Sequence, residues 1–387
     1  MDRSQTDRAA NSVAVIGGGQ LARMMQPAAI GLGIHLRLLA EAPDVSAAQV
    51  IPDHLVGDHR DLDDLRQAAE GCAVVTFDHE HVPPEHLRTL EAEGHVPRPG
   101  PHALIYAQDK ALMRSRLSEL GFPVPEHRAV DGPADLDDFA ESVGGYPVVV
   151  KTTRGGYDGK GVWMVDSAAE AEEAFASGQT LMAEELVFFA RELSAQVARR
   201  PSGGMVSYPV VESRQSDGIC KEVVAPAPEL SAHLTGEART LARAIAEALD
   251  VTGMLAVELF ETMDGRILVN ELAMRPHNTG HWSIEGAATS QFENHLRAVL
   301  DLPLGPTEPS CPWSVMVNIL GGVVDDLEAQ LPEVLEAVPE AHVHLYGKAV
   351  KTGRKVGHVT VLGDDLARTI VRARRAADLL EKGRADV

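Results

Sequence analysis

Between residues 13 and 40 a short apolar run, Val13-Ala14-Val15-Ile16, meets three glycines, Gly17-Gly18-Gly19. A helical pattern over 21–32 then leads into a second apolar run over 35–40. This strand–glycine–helix–strand order constrains the fold more than any other feature. A helix between two strands returns the chain to the edge where it began, so the strands pair in parallel. A helix over 62–69 and a third strand over 73–77 repeat the unit, and the first hundred residues read as an open parallel sheet. The glycines sit at the N-terminus of the first helix, where backbone N–H groups attract anions. Three readings of them stand. Gly17-Gly18-Gly19-Gln20-Leu21-Ala22 satisfies G-x-G-x-x-[GA], with Glu41 24 residues beyond Gly17, as in a dinucleotide site. The glycines also suit a tight turn without a ligand, or a loop around a smaller phosphorylated molecule.

A Pro/Gly-rich stretch over 97–101 marks a boundary. Beyond it the pattern predicts a helix over 107–120, ended by Gly121 and Pro123, then two strands around a glycine loop over 146–165. A helix over 168–176 and strands over 180–184, 193–197 and 208–211 follow. Next come a long helix over 236–249 and a hairpin over 254–271. Short strands and a basic helix fill 310–387. A length of 387 residues accommodates two or three domains.

The glycine loop after Val148-Val149-Val150-Lys151 is the most unusual stretch. Thr152-Thr153-Arg154-Gly155-Gly156-Tyr157-Asp158-Gly159-Lys160-Gly161 is too long for an ordinary hairpin turn and carries cations, an acid and an aromatic. Its N–H groups and lysines suit closure over phosphates. It is not a Walker A loop, because Gly161 follows Lys160 where Ser or Thr is needed.

Asp264-Gly265 between apolar strands predicts a two-residue hairpin turn. In that register Glu258 falls opposite Glu271. Like charges directly opposed destabilise a sheet, and a shared hard cation such as Mg²⁺ removes the repulsion. Met274-Arg275-Pro276-His277-Asn278-Thr279-Gly280-His281-Trp282 follows as a binding loop. Tyr346-Gly347-Lys348 and Gly353-Arg354-Lys355-Val356-Gly357-His358 form a basic cluster suited to a monophosphate.

Against these clusters the chain as a whole is acidic. Thirty-five basic and 57 acidic residues give a net charge of −22, which argues against nucleic-acid partners. No apolar run is long enough to span a membrane, and residues 1–12 do not read as a signal peptide. Cys72, Cys220 and Cys311 lack metal-binding spacing and suit a reducing cytoplasm. Only eight of the basic residues are lysines; Lys151, Lys160, Lys348 and Lys355 fall in the motifs above and Lys110 in the helix expected over 107–120, while Lys221, Lys351 and Lys382 fall in no motif.

GGGQLARM, TFDHEHV, KTTRGGYDGKG, the VELF…LVNELAMRPHNTGHW segment and LYGK…GRKVGH, in this order, resemble 5-(carboxyamino)imidazole ribonucleotide synthases, ATP-grasp enzymes of bacterial and fungal purine biosynthesis. The resemblance runs over about 12–358. It implies an α/β chain with the ATP-grasp fold: an N-terminal open parallel sheet (1–108), a small lid domain (109–190) and a C-terminal catalytic domain with a small β-rich end (191–387). It further implies a cytoplasmic homodimer that carboxylates aminoimidazole ribonucleotide (AIR) with ATP and bicarbonate, releasing ADP and phosphate.

By motif, Lys110, Lys151, the lid Gly155-Gly156-Tyr157-Asp158-Gly159-Lys160-Gly161, the strand Glu184-Glu185-Leu186-Val187, Glu192, Gln215, Asn270 and Glu271 would bind ATP. Glu258 and Glu271 would hold Mg²⁺. Gln20, Leu21, Glu80, Tyr157, Arg275, His277, Asn278, Lys348, Arg354 and Lys355 would surround AIR and the carboxyl donor. Asp158, Arg275, His277 and Lys348 would take part in the chemistry. Asp78 stands where the family has Glu, and Gln215 where it has His. Strict alternation turns Asn270 away from the carboxylate pair, so either the strand ends there or its contact is indirect. The rival readings are a sister ligase activating formate or another carboxylate, an NAD(P)-dependent oxidoreductase built on the first glycine loop, and a nucleotide sensor without turnover.

Overall fold

Three sheets organise the chain in a computed structural model that describes residues 11–156, 159–216 and 218–383. The first is parallel, in the order His54–Val56, His35–Ala40, Ser12–Ile16, Val74–Phe77. Ser12–Ile16 is buried along its whole length, as an unbroken apolar strand between two parallel neighbours should be. The second sheet is antiparallel and four-stranded: His127–Val130, Leu181–Glu185, Val148–Thr152, Val162–Val165. Helix Pro133–Ser142 buries Leu136, Phe139 and Ala140 against it. The third sheet is antiparallel with nine strands. It runs from Ile267–Ala273 through Gly253–Thr262, Phe189–Arg199, Val211–Ser216 and Ile219–Ala225 to Trp313–Leu320, Lys355–Gly363 and His342–Leu345, with Met205–Ser207 paired beside Phe189–Arg199. The β-rich C-terminal end thus continues this sheet through the pairing of Glu222 with Val317. One apolar core joins the first and third sheets, with Ile16 and Phe77 in the same cluster as Leu193, Leu255 and Leu272. Among the described residues, no helix is long and apolar enough to cross a membrane.

Several elements depart from the sequence pattern for identifiable reasons. The helix expected over 107–120 is two helices, Pro101–Gln108 and Lys110–Glu119. Asp109 is extended between them, and its carboxylate accepts the Leu112 N–H at 3.0 Å, so a cap replaces a helical turn. The helix expected over 236–249 starts earlier, as Ala232–Ala248, where Ser231 caps Leu234 N–H. Residues 208–210 are not strand: Tyr208 is buried, and its hydroxyl bonds Thr289 O and Asn294. The strands His54–Val56 and Ile219–Ala225 carry no pattern that marks them in advance.

The hairpin corrects the expected turn yet keeps its consequence. Gly265 takes φ +78°, and Thr262 exchanges backbone hydrogen bonds with Gly265 and Arg266, so the loop is Met263-Asp264-Gly265, three residues rather than two. That slips the register by one, and Leu259 faces Val269. A bulge at Asn270 slips it back, and Glu258 faces Glu271 after all. The strand continues to Ala273, so the Asn270 difficulty is settled by the bulge rather than by a strand end.

Candidate active site

The first glycine loop carries carboxylates of the chain itself. Asp78, just beyond Val74–Phe77, accepts Gly19 N–H at 3.1 Å and Ala22 N–H at 2.8 Å, and Glu41 accepts Gly18 N–H at 3.1 Å. A Cβ on Gly19 would lie 2.1 Å from Asp78, and one on Gly18 2.3 Å from Val45, so glycine is needed for this close approach. Burial pushes the Asp78 carboxyl up from its ordinary value. The dinucleotide reading therefore fails: Glu41 is spent on the loop itself, and two carboxylates occupy the amides a pyrophosphate would need. Helix positions Gln20 and Leu21 keep amides without an intrahelical partner, and both residues line a cleft.

That cleft, of about 1300 Å³, lies between the first and third sheets. Gln20, Leu21, Glu80, Gly155, Arg275, Lys348 and Arg354 are on its wall. A second cavity of about 560 Å³ lies between the second and third sheets and takes in Lys151, Gly159, Glu184, Glu185, Leu186, Val187, Glu192, Gln215 and Asn270. Its apolar faces come from Val149, Val162, Met164, Phe189 and Phe260. Lys110, Gly156, Lys160, Glu258, Glu271, His277, Asn278 and Lys355 border both spaces, so the two meet at the carboxylate pair. Gly161 borders neither; at φ +71° it packs on Thr152. Tyr157 and Asp158 lie outside the described residues.

At the junction each carboxylate already has a nitrogen partner. Lys110 pairs with Glu271, and His277 Nε2 lies 3.1 Å from Glu258 Oε1. Burial works against ionising Glu258, but His277 and Lys110 hold its carboxyl below the ordinary value. The bulge puts Asn270 on the cavity wall beside Glu271. Two carboxylates and an amide oxygen make an all-oxygen donor set, which fits a hard dication such as Mg²⁺. The Asn278 amide is buried beside them with neither end hydrogen-bonded, as a ligand-facing group would be.

The surrounding charges are fixed from behind. Glu184 is 3 % exposed and is shared by Lys151 and Arg114, whose Nε lies 2.5 Å away; although burial opposes its ionisation, these cations hold it down to about 2. Glu192 is pushed the other way, up to about 7, by burial and by the charge of Glu258. Gln215 is its hydrogen-bond partner. Glu80 accepts Arg275 Nε at 2.7 Å and Met274 N–H at 3.1 Å, which makes it the support of Arg275. Gln291 clamps the backbone of His277 through both amide atoms at 2.8 Å. Lys348 donates to Gln20, and burial lowers its ammonium to about 8.

Sequence reasoning missed Gln108, Arg154, His79, His81 and Lys351 on the cleft wall. The rarity of lysine was a signal for Lys351: six of the eight lysines line the two spaces, whereas Lys221 pairs with Glu381 and Lys382 with Asp378.

An antiparallel sheet with a glycine loop, set against a carboxylate pair on another antiparallel sheet, is the arrangement of the ATP-grasp class, and residues 115–292 match the ATP-grasp domain. Residues 10–108 match the ribonucleotide synthetase preATP-grasp domain, and 314–372 the phosphoribosylaminoimidazole carboxylase C-terminal domain. The chain belongs to the N5-carboxyaminoimidazole ribonucleotide synthase family. It is 51 % identical to the Mycobacterium tuberculosis synthase over 379 residues, covering 96 % of this chain and 88 % of that one. Identity to the Corynebacterium ammoniagenes synthase is 52 %, covering 95 % and 91 %. A crystal structure of the Aspergillus clavatus enzyme with ADP and 5-aminoimidazole ribonucleotide superposes with a TM-score of 0.88 at 35 % identity, covering 96 % and 99 %.

Proposed function

We propose that this protein carboxylates AIR to N5-carboxyaminoimidazole ribonucleotide in purine biosynthesis, consuming ATP and bicarbonate and releasing ADP and phosphate. The observation that carries this reading is the junction: an apolar cavity and a cation-rich cleft meet at Glu258 and Glu271. A planar base suits the apolar cavity, with the backbone of 184–187 along its edge and Glu192 beside the ribose. Lys110 and Lys151 then face the phosphates, under the lid 155–161. Glu258 and Glu271, with Asn270, would hold Mg²⁺, which neutralises phosphate charge. The cleft takes AIR, its phosphate near Gln20, Leu21, Lys348, Arg354 and Lys355, and its amine toward Arg275, His277 and Asn278.

Bicarbonate attacks the γ-phosphorus of ATP, releasing ADP and forming carboxyphosphate. The AIR amine then attacks the carboxyl carbon, and phosphate leaves with the electron pair of the broken C–O bond. Lysine and arginine charges stabilise both steps electrostatically. Asp158 is the candidate acceptor for the amine proton, and His277, held by Gln291, orients the amine. A lid excludes water from an intermediate that hydrolyses readily. The division 1–108, 109–190 and 191–387, a homodimer and a cytoplasmic location belong to the same proposal; three unpaired cysteines favour a reducing compartment.

ADP release measured with AIR and bicarbonate omitted in turn tests the reaction. Release is expected only with both present; release that needs neither refutes it, and formate replacing bicarbonate points to a sister ligase. Glu258→Gln should raise the Mg²⁺ concentration needed for half-maximal ADP release by roughly tenfold or more. An unchanged Mg²⁺ titration would remove the carboxylate pair from metal binding.

A further inference from the structure

Three parallel strands bring Glu41, His59 and His79 to one edge of the first sheet. Glu41 directly follows His35–Ala40, His59 lies shortly after His54–Val56, and His79 shortly after Val74–Phe77. The carboxyl ends of strands are where open α/β sheets bind ligands. One potential ligand atom from each side chain lies within 4.8 Å of the other two. The His59 and His79 rings meet edge to face with centroids 4.6 Å apart, and His79 Nε2 is 3.7 Å from Glu41 Oε1. Glu41 Oε2 is engaged by Gly18 N–H, so Oε1 is the oxygen left toward the histidines. His79 Nε2 is buried and has no hydrogen-bond partner.

We infer that Glu41 Oε1, His59 and His79 Nε2 form a site for a borderline transition-metal dication of the Zn²⁺ type. Two imidazoles and one carboxylate suit Zn²⁺ or Co²⁺, whereas Mg²⁺ prefers oxygen alone. Tetrahedral coordination at about 2.0–2.2 Å sets ligand atoms roughly 3.3 Å apart, so the side chains close by no more than about 1.5 Å. His81 N–H donates to His79 Nδ1 at 3.2 Å, which puts the ring proton on Nε2 in the metal-free protein. Loading moves that proton to Nδ1 and gives up this one long bond. His79 also lines the larger cleft. No residue is shared with the Glu258–Glu271 pair.

Metal-stripped full-length protein, with ADP and excess Mg²⁺ present to fill the nucleotide site, is titrated with Zn²⁺ by calorimetry and with Co²⁺ by visible absorption. One equivalent is expected in the wild type and in Glu258→Gln or Glu271→Gln. His59→Asn and Glu41→Gln should each weaken it by roughly tenfold or more. His59→Asn should keep AIR-dependent ADP release, which also shows that it folds. The inference is overturned if His59→Asn binds Zn²⁺ like the wild type, if no equivalent binds, or if the glutamine variants at 258 and 271 abolish binding.

Discussion

Glu192 has an environment far from what its type suggests. Its carboxyl, raised to about 7, is neutral at mildly acidic pH in the nucleotide-free protein. A raised carboxyl favours the fold fully below its ordinary value of 4.5, and that contribution disappears as pH rises through 7. The wild type should therefore lose thermal stability between pH 6 and pH 8, as thermal melts read it, by on the order of 1–2 kcal/mol more than Glu192→Gln. If Glu192 accepts a ribose hydroxyl, ATP affinity should fall in the wild type as pH drops below 7, while the glutamine variant shows a flatter profile. At this scale the sequence was a good guide to residue type and a poor one to role. TFDHEHV named Glu80, but its place behind Arg275 depends on a loop nearly two hundred residues away.

At the scale of elements, Asp109 shows how one side chain sets a functional lysine. Its cap ends Pro101–Gln108, starts Lys110–Glu119 and places Lys110 at the first helical position, facing Glu271. Asp109 also pairs with Arg154 of the second glycine loop at 2.8 Å. Asp109→Ala should cost about 1 kcal/mol of stability, read from urea unfolding, and raise the KM for ATP. Asp109→Asn should restore the stability, since asparagine caps equally well. The hairpin teaches a related lesson. Asp264-Gly265 signalled a turn correctly, but a three-residue loop and a bulge are invisible to an alternation count, and here their register shifts cancel.

Across the whole molecule, the first and third sheets share one core and one cleft, and Glu80 is one polar tie between them. Glu80→Gln keeps the shape but removes the charge facing Arg275. It should lower kcat/KM for AIR roughly 10- to 100-fold, with the KM for ATP changed much less. Equal losses for both substrates would mean that Glu80 serves the fold rather than the AIR side. Ser46 and Gln49 make a second tie, donating to the backbone of Tyr346 and Gly347 and so seating Lys348 over Gln20.

What the sequence by itself determined is local: apolar runs and glycines that set the parallel sheet, a second glycine loop too long for a turn, and a hairpin turn at Asp264-Gly265, whose pairing of Glu258 with Glu271 needed a bulge to restore it. These depend on backbone geometry over a few residues, which neighbouring residues control. Only the tertiary structure decided that Asp78 and Glu41 fill the first glycine loop, that Glu184 is locked between Lys151 and Arg114, and that two cavities open onto one carboxylate pair. Each of these joins groups from different strands or sheets, and packing alone sets which side chains meet.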